Sequence, residues 1–286
     1  MAEKTVRGLV LSGGGGRGAY ECGVYKGLYE HGIEPDILVG TSIGAINAAA
    51  IVAGASPEDL EHMWLAMDTK RVHKRRWDFW NFFRWRNLLD HSPWERTLLE
   101  HIDFSRISAS PKKLRVTAVD VEAGELRVFS NQDITAKHIL ASCSIPVIYP
   151  WTQIDDVVYW DGGTMANTPL GPAIDAGADE IYVVLLSQIG ARQLSVPRNI
   201  LEGAGLAFEL AILASFKMAL KQLQYINALC EHGLDTGDHR IVQYHLIAPS
   251  RSLGLDLILR YEREQIRELI RLGYEDTKRV LEEAVE

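Results

Sequence analysis

Two glycine-bearing turns near the start of this 286-residue chain limit its folding choices more than any other feature. Val6 to Leu11 is a short apolar run, and it breaks into Gly13-Gly14-Gly15-Gly16-Arg17-Gly18. Asp36 to Val39 reads as a second strand, and it breaks into Gly40-Thr41-Ser42-Ile43-Gly44. After each turn the hydrophobic period changes from that of a strand to that of a helix. Tyr20, Val24 and Leu28 share one face between Ala19 and His31, and Gly32 stands where a C-terminal cap belongs. Small residues dominate Ile43 to Ala53, so that helix must lie close against its neighbours. Successive strand–turn–helix units predict parallel strands covered by helices on both faces.

The rest of the chain extends the pattern. Ser56-Pro57-Glu58-Asp59 is a helix start, with a serine cap, a first-turn proline and acids at the positive end. Leu114 to Val121 and Leu126 to Ser130 read as a hairpin, as do Val147 to Ile154 and Val157 to Trp160. Thr168 is the expected cap of a helix over Pro169 to Ala176, ended by Gly177. Glu180 to Leu186 is a strongly apolar strand, and another strand is expected near Ile241 to Ile247. Beyond Pro197 the pattern is mostly helical, and Glu262 to Glu286 reads as a surface helix. The expected architecture is α/β: a three-layer α/β/α sandwich with a mainly parallel central sheet. Its expected limits are residues 8–190, with a mostly helical part over 191–286 against the same domain.

Composition narrows the function. The formal net charge is −8, which argues against nucleic acid as a partner, because binding phosphates requires a basic face. The N-terminal apolar run is too short for a signal peptide. The best candidate for a membrane span, Leu206 to Leu220, is interrupted by Glu209 and Lys217. Cys22, Cys143 and Cys230 form neither a disulfide framework nor a metal-ligand set. A reduced, cytoplasmic protein without metal or cofactor is expected.

Gly13, Gly15 and Gly18 satisfy G-x-G-x-x-G between a strand and a helix, the setting of a dinucleotide site. The second strand, however, ends in Gly40-Thr41-Ser42 and lacks the acid that such a site needs for ribose. The two turns make better sense together. Gly40-Thr41-Ser42-Ile43-Gly44 has the context of a nucleophile elbow, which exposes a serine hydroxyl at a helix N-terminus. Serine attack on a carbonyl creates an oxyanion that needs N–H donors already in place. The side-chain-free amides of Gly13, Gly14 and Gly15 suit that role. The residues leave the base open. His232, His239 and His245 come late enough in the chain for a Ser–acid–His order, but none lies in a glycine-flanked turn. Asp161 ends an apolar run and is followed by Gly162 and Gly163, which leave room around a carboxylate.

Four segments in order resemble the patatin-like phospholipases: the Gly13–Gly18 cluster, Gly40 to Gly44, Ala141-Ser142-Cys143-Ser144-Ile145-Pro146, and Asp161-Gly162-Gly163. The resemblance covers about the first 165 residues and fades after about residue 190. It implies a Ser–Asp dyad without histidine: Ser42 as nucleophile, Asp161 as base, Gly13, Gly14 and Gly15 as oxyanion hole, and Arg17 holding that loop. The implied substrate is a phospholipid or another acyl-ester lipid. An acyltransferase using the same acyl-enzyme and a non-catalytic lipid-binding protein are the alternatives.

One stretch outside the motifs stands out. Six of the nine residues from Trp77 to Trp85 are aromatic, and Lys74, Arg75, Arg76 and Arg86 flank them. Aromatics beside cations suit contact with lipid head groups, which makes Trp77, Trp80 and Phe83 candidates for peripheral membrane contact. The same pattern suits an aromatic cluster on the core with solvated cations around it, or one wall of an acyl pocket. Ile212, Phe216, Ala219, Leu223, Ile226 and Cys230 recur at helical spacing, which reads as core packing, with a lid or membrane face as the alternative. Oligomeric state leaves no mark in the sequence.

Overall fold

The computed structural model describes residues 4–75, 87–189, 196–234, 237, 239–254 and 256–283. In chain order the first elements are β1 (Arg7–Leu11), α1 (Ala19–Glu30), β2 (Ile37–Thr41), α2 (Ile43–Val52), α3 (Pro57–Ala66) and α4 (Thr69–Val72). A two-residue ladder of β3 (Lys74–Arg75) and β4 (Leu89–Asp90) follows, then α5 (Ser92–His101), α6 (Phe104–Ala109), β5 (Lys113–Asp120) and β6 (Glu125–Ser130). Next come α7 (Ala136–Ser142), β7 (Thr152–Ile154), β8 (Val157–Asp161), α8 (Gly163–Ala166), α9 (Leu170–Asp175) and β9 (Glu180–Val184). The described chain ends with α10 (Ile200–Glu231), β10 (Gln243–Ile247) and α11 (Arg263–Glu283).

Eight strands form one sheet in the order β10-β9-β1-β2-β5-β8-β7, with β6 also on β5. The pairs from β10 to β5 are parallel, and those involving β6, β7 and β8 are antiparallel. Strand alternation sends side chains to two cores. Leu9, Leu11 and Leu38 face one, which is closed by α1, α2, α3, α5 and α11. Val10, Ile37 and Val39 face the other, under α9 and α10. Every residue of β2 is buried, as a strand covered on both faces requires. The expected three-layer α/β arrangement is therefore present.

Local chemistry accounts for the main boundaries. Ser56 and Asp59 form a capping box that opens α3, with Pro57 in its first turn. All ten residues of α2 are buried, as its small-residue composition demands. Other expectations need correction. The strand expected from Val147 shrinks to Thr152–Ile154: Val147 has φ 69°, and the Tyr149 N–H turns back to the Ile145 carbonyl at 2.9 Å. Pro169, not Thr168, occupies the N-cap of α9, because the Thr168 hydroxyl is engaged with Ser12 Oγ at 2.8 Å. The surface helix expected at the C-terminus is a core element: α11 buries Ile266, Leu269, Ile270, Leu272, Gly273, Asp276 and Thr277. Glu209 and Lys217 do not shorten α10. It runs for 32 residues, and by length and composition alone its Glu202–Glu231 stretch could cross a membrane.

Candidate active site

Ser42 occupies the single residue between β2 and α2 and adopts φ 55°, ψ −123°. A non-glycine residue there is strained, and such strain persists only where the surroundings over-determine it. Three features hold it. A Cβ on Gly40 would strike the backbone of Gly44, so the two glycines allow the turn to close. A Cβ on Gly44 would strike the Leu11 carbonyl, so α2 can lie directly on β1. The Ser42 N–H donates to Ser142 Oγ at 2.8 Å, which ties the turn to the end of α7.

Asp161 reaches Ser42 through the sheet rather than the sequence. β5 outlasts β2: Thr41 pairs with Thr117, and the next residues, Ala118 to Asp120, pair with β8. β8 runs antiparallel, so its last residue, Asp161, lies opposite Ala118. The C-terminal tips of β2 and β8 thus meet head to head alongside β5. The Ser42 side chain interacts with both the Asp161 carboxylate and the Cys143 thiol. Asp161 is buried, and desolvation pushes its pKa up to about 7, against the pull of the Ser42 hydroxyl and the Gly163 N–H. That N–H donates to Asp161 Oδ1 at 2.7 Å.

The glycine cluster lies across the same point. Gly13, Gly14, Gly15, Ser42 and Asp161 line one cavity. Gly15 has φ +58°, and a side chain there would run into the Ile258 carbonyl. The Gly13 N–H donates to the Asn167 carbonyl at 3.1 Å, and Asn167 Nδ2 returns a bond to the Gly13 carbonyl at 3.1 Å. The Gly14 and Gly15 amides make no intramolecular bond among the described residues. Arg17 is buried, not solvent-facing. Its Nε donates to the Gly14 carbonyl at 3.4 Å and its Nη1 to Glu209 Oε1 on α10 at 3.3 Å. Burial lowers its pKa while Glu209 opposes that. Gly18 caps α1 and Gly162 caps α8.

A second cavity also reaches Ser42, and its lining includes Trp94, Cys143, Ile145, Tyr149, Ile258 and Tyr261. On the Asp161 side the walls include Pro146 and, from α10, Phe208 and Ile212. Water-accessible space in the two is only about 10 and 30 Å³. A pocket that encloses a small molecule takes roughly 300–1,000 Å³.

Of the residues singled out in the sequence, Ser42, Asp161, the glycine cluster and Arg17 converge here. Trp77, Trp80 and Phe83, with Arg76, lie outside the described residues. His232 Nδ1 bonds the Ala228 carbonyl, and His245 bonds Glu180 and stacks on Tyr182, away from Ser42. His239 lies in the connection before β10 and lines neither cavity. No group of metal-ligating side chains occurs among the described residues. Sequence reasoning missed the structural parts of Ser142, Cys143 and Asn167. The first two lie in the quoted Ala-Ser-x-x-x-Pro segment, but nothing in that segment tells which atom each one meets. Asn167 carries no signal in the sequence.

The Patatin-like phospholipase family model matches residues 9–174, which include all four motifs. The chain belongs to this family. Among curated relatives, the uncharacterized protein R571 of Acanthamoeba polyphaga mimivirus is 23% identical over 187 residues, 59% of this chain and 62% of that one. Lysophospholipase NTE1 of Lodderomyces elongisporus is 25% identical over 190 residues, 65% of this chain. The match takes in 13% of the fungal protein, so the chain spans less than two thirds of either relative. Among solved structures, VipD from Legionella pneumophila superposes with a TM-score of 0.51 at 14% identity, over 98% of this chain and 67% of that one. At that identity the likeness concerns the fold alone.

Proposed function

We propose that this protein is a serine lipid acyl hydrolase that cleaves carboxylic esters of phospholipids or lysophospholipids through an acyl-Ser42 intermediate. One observation carries the reading: a buried carboxylate with a pKa near neutrality faces a serine in a strained strand–helix turn, beside two glycine amides that have no hydrogen-bond partner among the described residues. An ordinary aspartate, with a pKa near 3.9, is a poor base for a hydroxyl. Desolvation makes Asp161 a better one, and direct contact with Ser42 removes a bimolecular search.

Asp161 takes the hydroxyl proton as Ser42 Oγ attacks the ester carbonyl carbon. The oxygen that becomes negative meets the Gly14 and Gly15 amides, while Gly13, tied to Asn167, holds the loop. Loss of one such donor typically costs about 10²–10³ in rate. Collapse expels the alcohol, which receives the proton from Asp161. Water then enters, Asp161 accepts its proton, and the fatty acid leaves as Ser42 regains its hydrogen.

Mass spectrometry of a mixed lipid extract incubated with the intact protein tests this. Free fatty acids and lyso-products should appear, and Ser42→Ala should abolish both them and labelling by a fluorophosphonate. Acyl transfer to an added alcohol in preference to water would make the protein an acyltransferase. Full activity in a folded Ser42→Ala variant would remove Ser42 from the reaction.

A further inference from the structure

Helix α10 is solvated on the wrong kind of face. At 32 residues it is about 48 Å long. Its C-terminal half is anchored: Leu213, Phe216, Leu220 and Leu223 pack into the core beneath the sheet, and Asn227 exchanges two hydrogen bonds with the backbone of Val242. Its N-terminal half crosses the active site. There Phe208 and Ile212 form part of the cavity wall, and Glu209 turns inward to Arg17 and to Ser187 Oγ, the latter at 3.1 Å.

Turning Glu209 inward strips the outer face of charge, because no other charged residue occurs between Glu202 and Lys217. The solvent-exposed stripe there is Ile200, Ala204, Ala207, Ala211, Ala214 and Met218, at alternating spacings of four and three. Ile200 is 91% exposed and Met218 69%, and Phe208 and Leu210 are exposed beside them. A water-facing helix ordinarily carries its polar residues on that side. Lys217 and Lys221 are exposed where the stripe ends, and Lys221 Nζ lies 5.5 Å from the centre of the Tyr225 ring. Flexible cations and a tyrosine beside an apolar stripe suit the boundary between acyl chains and head groups.

We infer that the N-terminal half of α10 docks on a lipid surface and sets the Ser42 cavity against the layer that supplies the substrate. The inference rests on the lipid-hydrolase reading, because the same helix walls the cavity on its inner side and is apolar on its outer side. Of possible occupants, a lipid layer fits best. It needs no shape complementarity from a stripe of alanines, and it is continuous with a cavity too small to enclose a lipid as it stands. Lying flat also accounts for the polar anchors of the inner face, which a crossing helix would have to give up.

The test is binding without turnover. In a Ser42→Ala background, the protein is sedimented with phosphatidylcholine vesicles that contain a minor fraction of phosphatidylglycerol, at low and high salt. The background protein should bind in both, because apolar insertion is not screened. Ala207→Glu with Ala211→Glu should lower the partition coefficient about tenfold or more. Ala207→Leu with Ala211→Leu should raise it about tenfold. Circular dichroism and thermal unfolding establish that the variants are folded. No vesicle binding by the background protein, or equal binding by it and both folded variants, overturns the inference. So does a dimer in sedimentation velocity that the glutamates dissociate, which would assign the face to a second copy of this chain. Absence of esterase activity on a soluble short-chain ester in the Ser42-intact protein would instead count against the hydrolase reading and leave the binding result standing.

Discussion

Asp161 is where stability and chemistry conflict. Its pKa is raised to about 7, against about 3.9 for the carboxyl in an unfolded chain. Between those values the folded protein holds a proton that the unfolded chain has released. The group's contribution to stability is therefore fully present below about pH 4 and lost as the pH rises to about 7, at roughly 1.4 kcal/mol per unit. Catalysis requires the opposite state. The rate constant kcat/KM for a soluble ester should rise with pH and reach half its plateau near pH 7, read from a pH–rate profile. Asp161→Asn should flatten that limb and lower kcat by about 10²–10⁴. At pH 8 it should also unfold at a higher temperature than the wild type, because the amide has no charge to bury. A folded variant that keeps its rate and its pH limb would exclude Asp161 as the base.

At the level of elements, the site depends on contacts that fix where turns end. The Ser42 N–H is buried and relies on Ser142 Oγ at the end of α7. Ser142→Ala leaves that donor without a partner, a cost of about 1–3 kcal/mol. The strained turn should relax as well, so kcat and the rate of fluorophosphonate labelling should fall while KM for a short ester changes little. The α1–α11 contact is of another kind. Gly273 sits against the Tyr20 carbonyl and Gly23 against the Ile270 carbonyl, so two helix backbones touch. Tyr20 donates to Asp276 Oδ2 at 3.1 Å within this contact. Gly273→Ala should cost about 1–3 kcal/mol or more through overpacking, measured by denaturant unfolding, with little change in kcat for the fraction that stays folded.

For the molecule as a whole, the family match ends at residue 174 but the core does not. β10 covers the exposed edge of β9, α10 covers one face of the sheet, and α11 covers α1 on the other. A chain ended after residue 190 would bare all three surfaces. It should aggregate or give a molten, protease-sensitive species, checked by limited proteolysis and near-ultraviolet circular dichroism. A cooperatively folded fragment with full esterase activity would contradict this. The same reach explains Arg17, whose partner Glu209 lies 192 residues away.

Much of the fold was legible because its determinants are local. Apolar runs, glycine breaks and the Ser56–Asp59 cap act within a few residues, and they marked both strand–turn–helix units and the three-layer sandwich. The glycine turns also pointed to Ser42. Beyond that the signal faded. Asp161-Gly162 is an ordinary turn pattern, and only the length of β5, which outlasts β2 by three residues, brings that carboxylate to Ser42. The fates of the Thr168 hydroxyl and of the last helix were likewise settled by partners far along the chain. Sequence by itself determined the turns, the strands and the residue types that can do chemistry. Tertiary structure alone decided which of those residues meet and how much water is left between them, because a raised pKa, a tethered amide and a buried arginine are properties of an environment that no single segment builds.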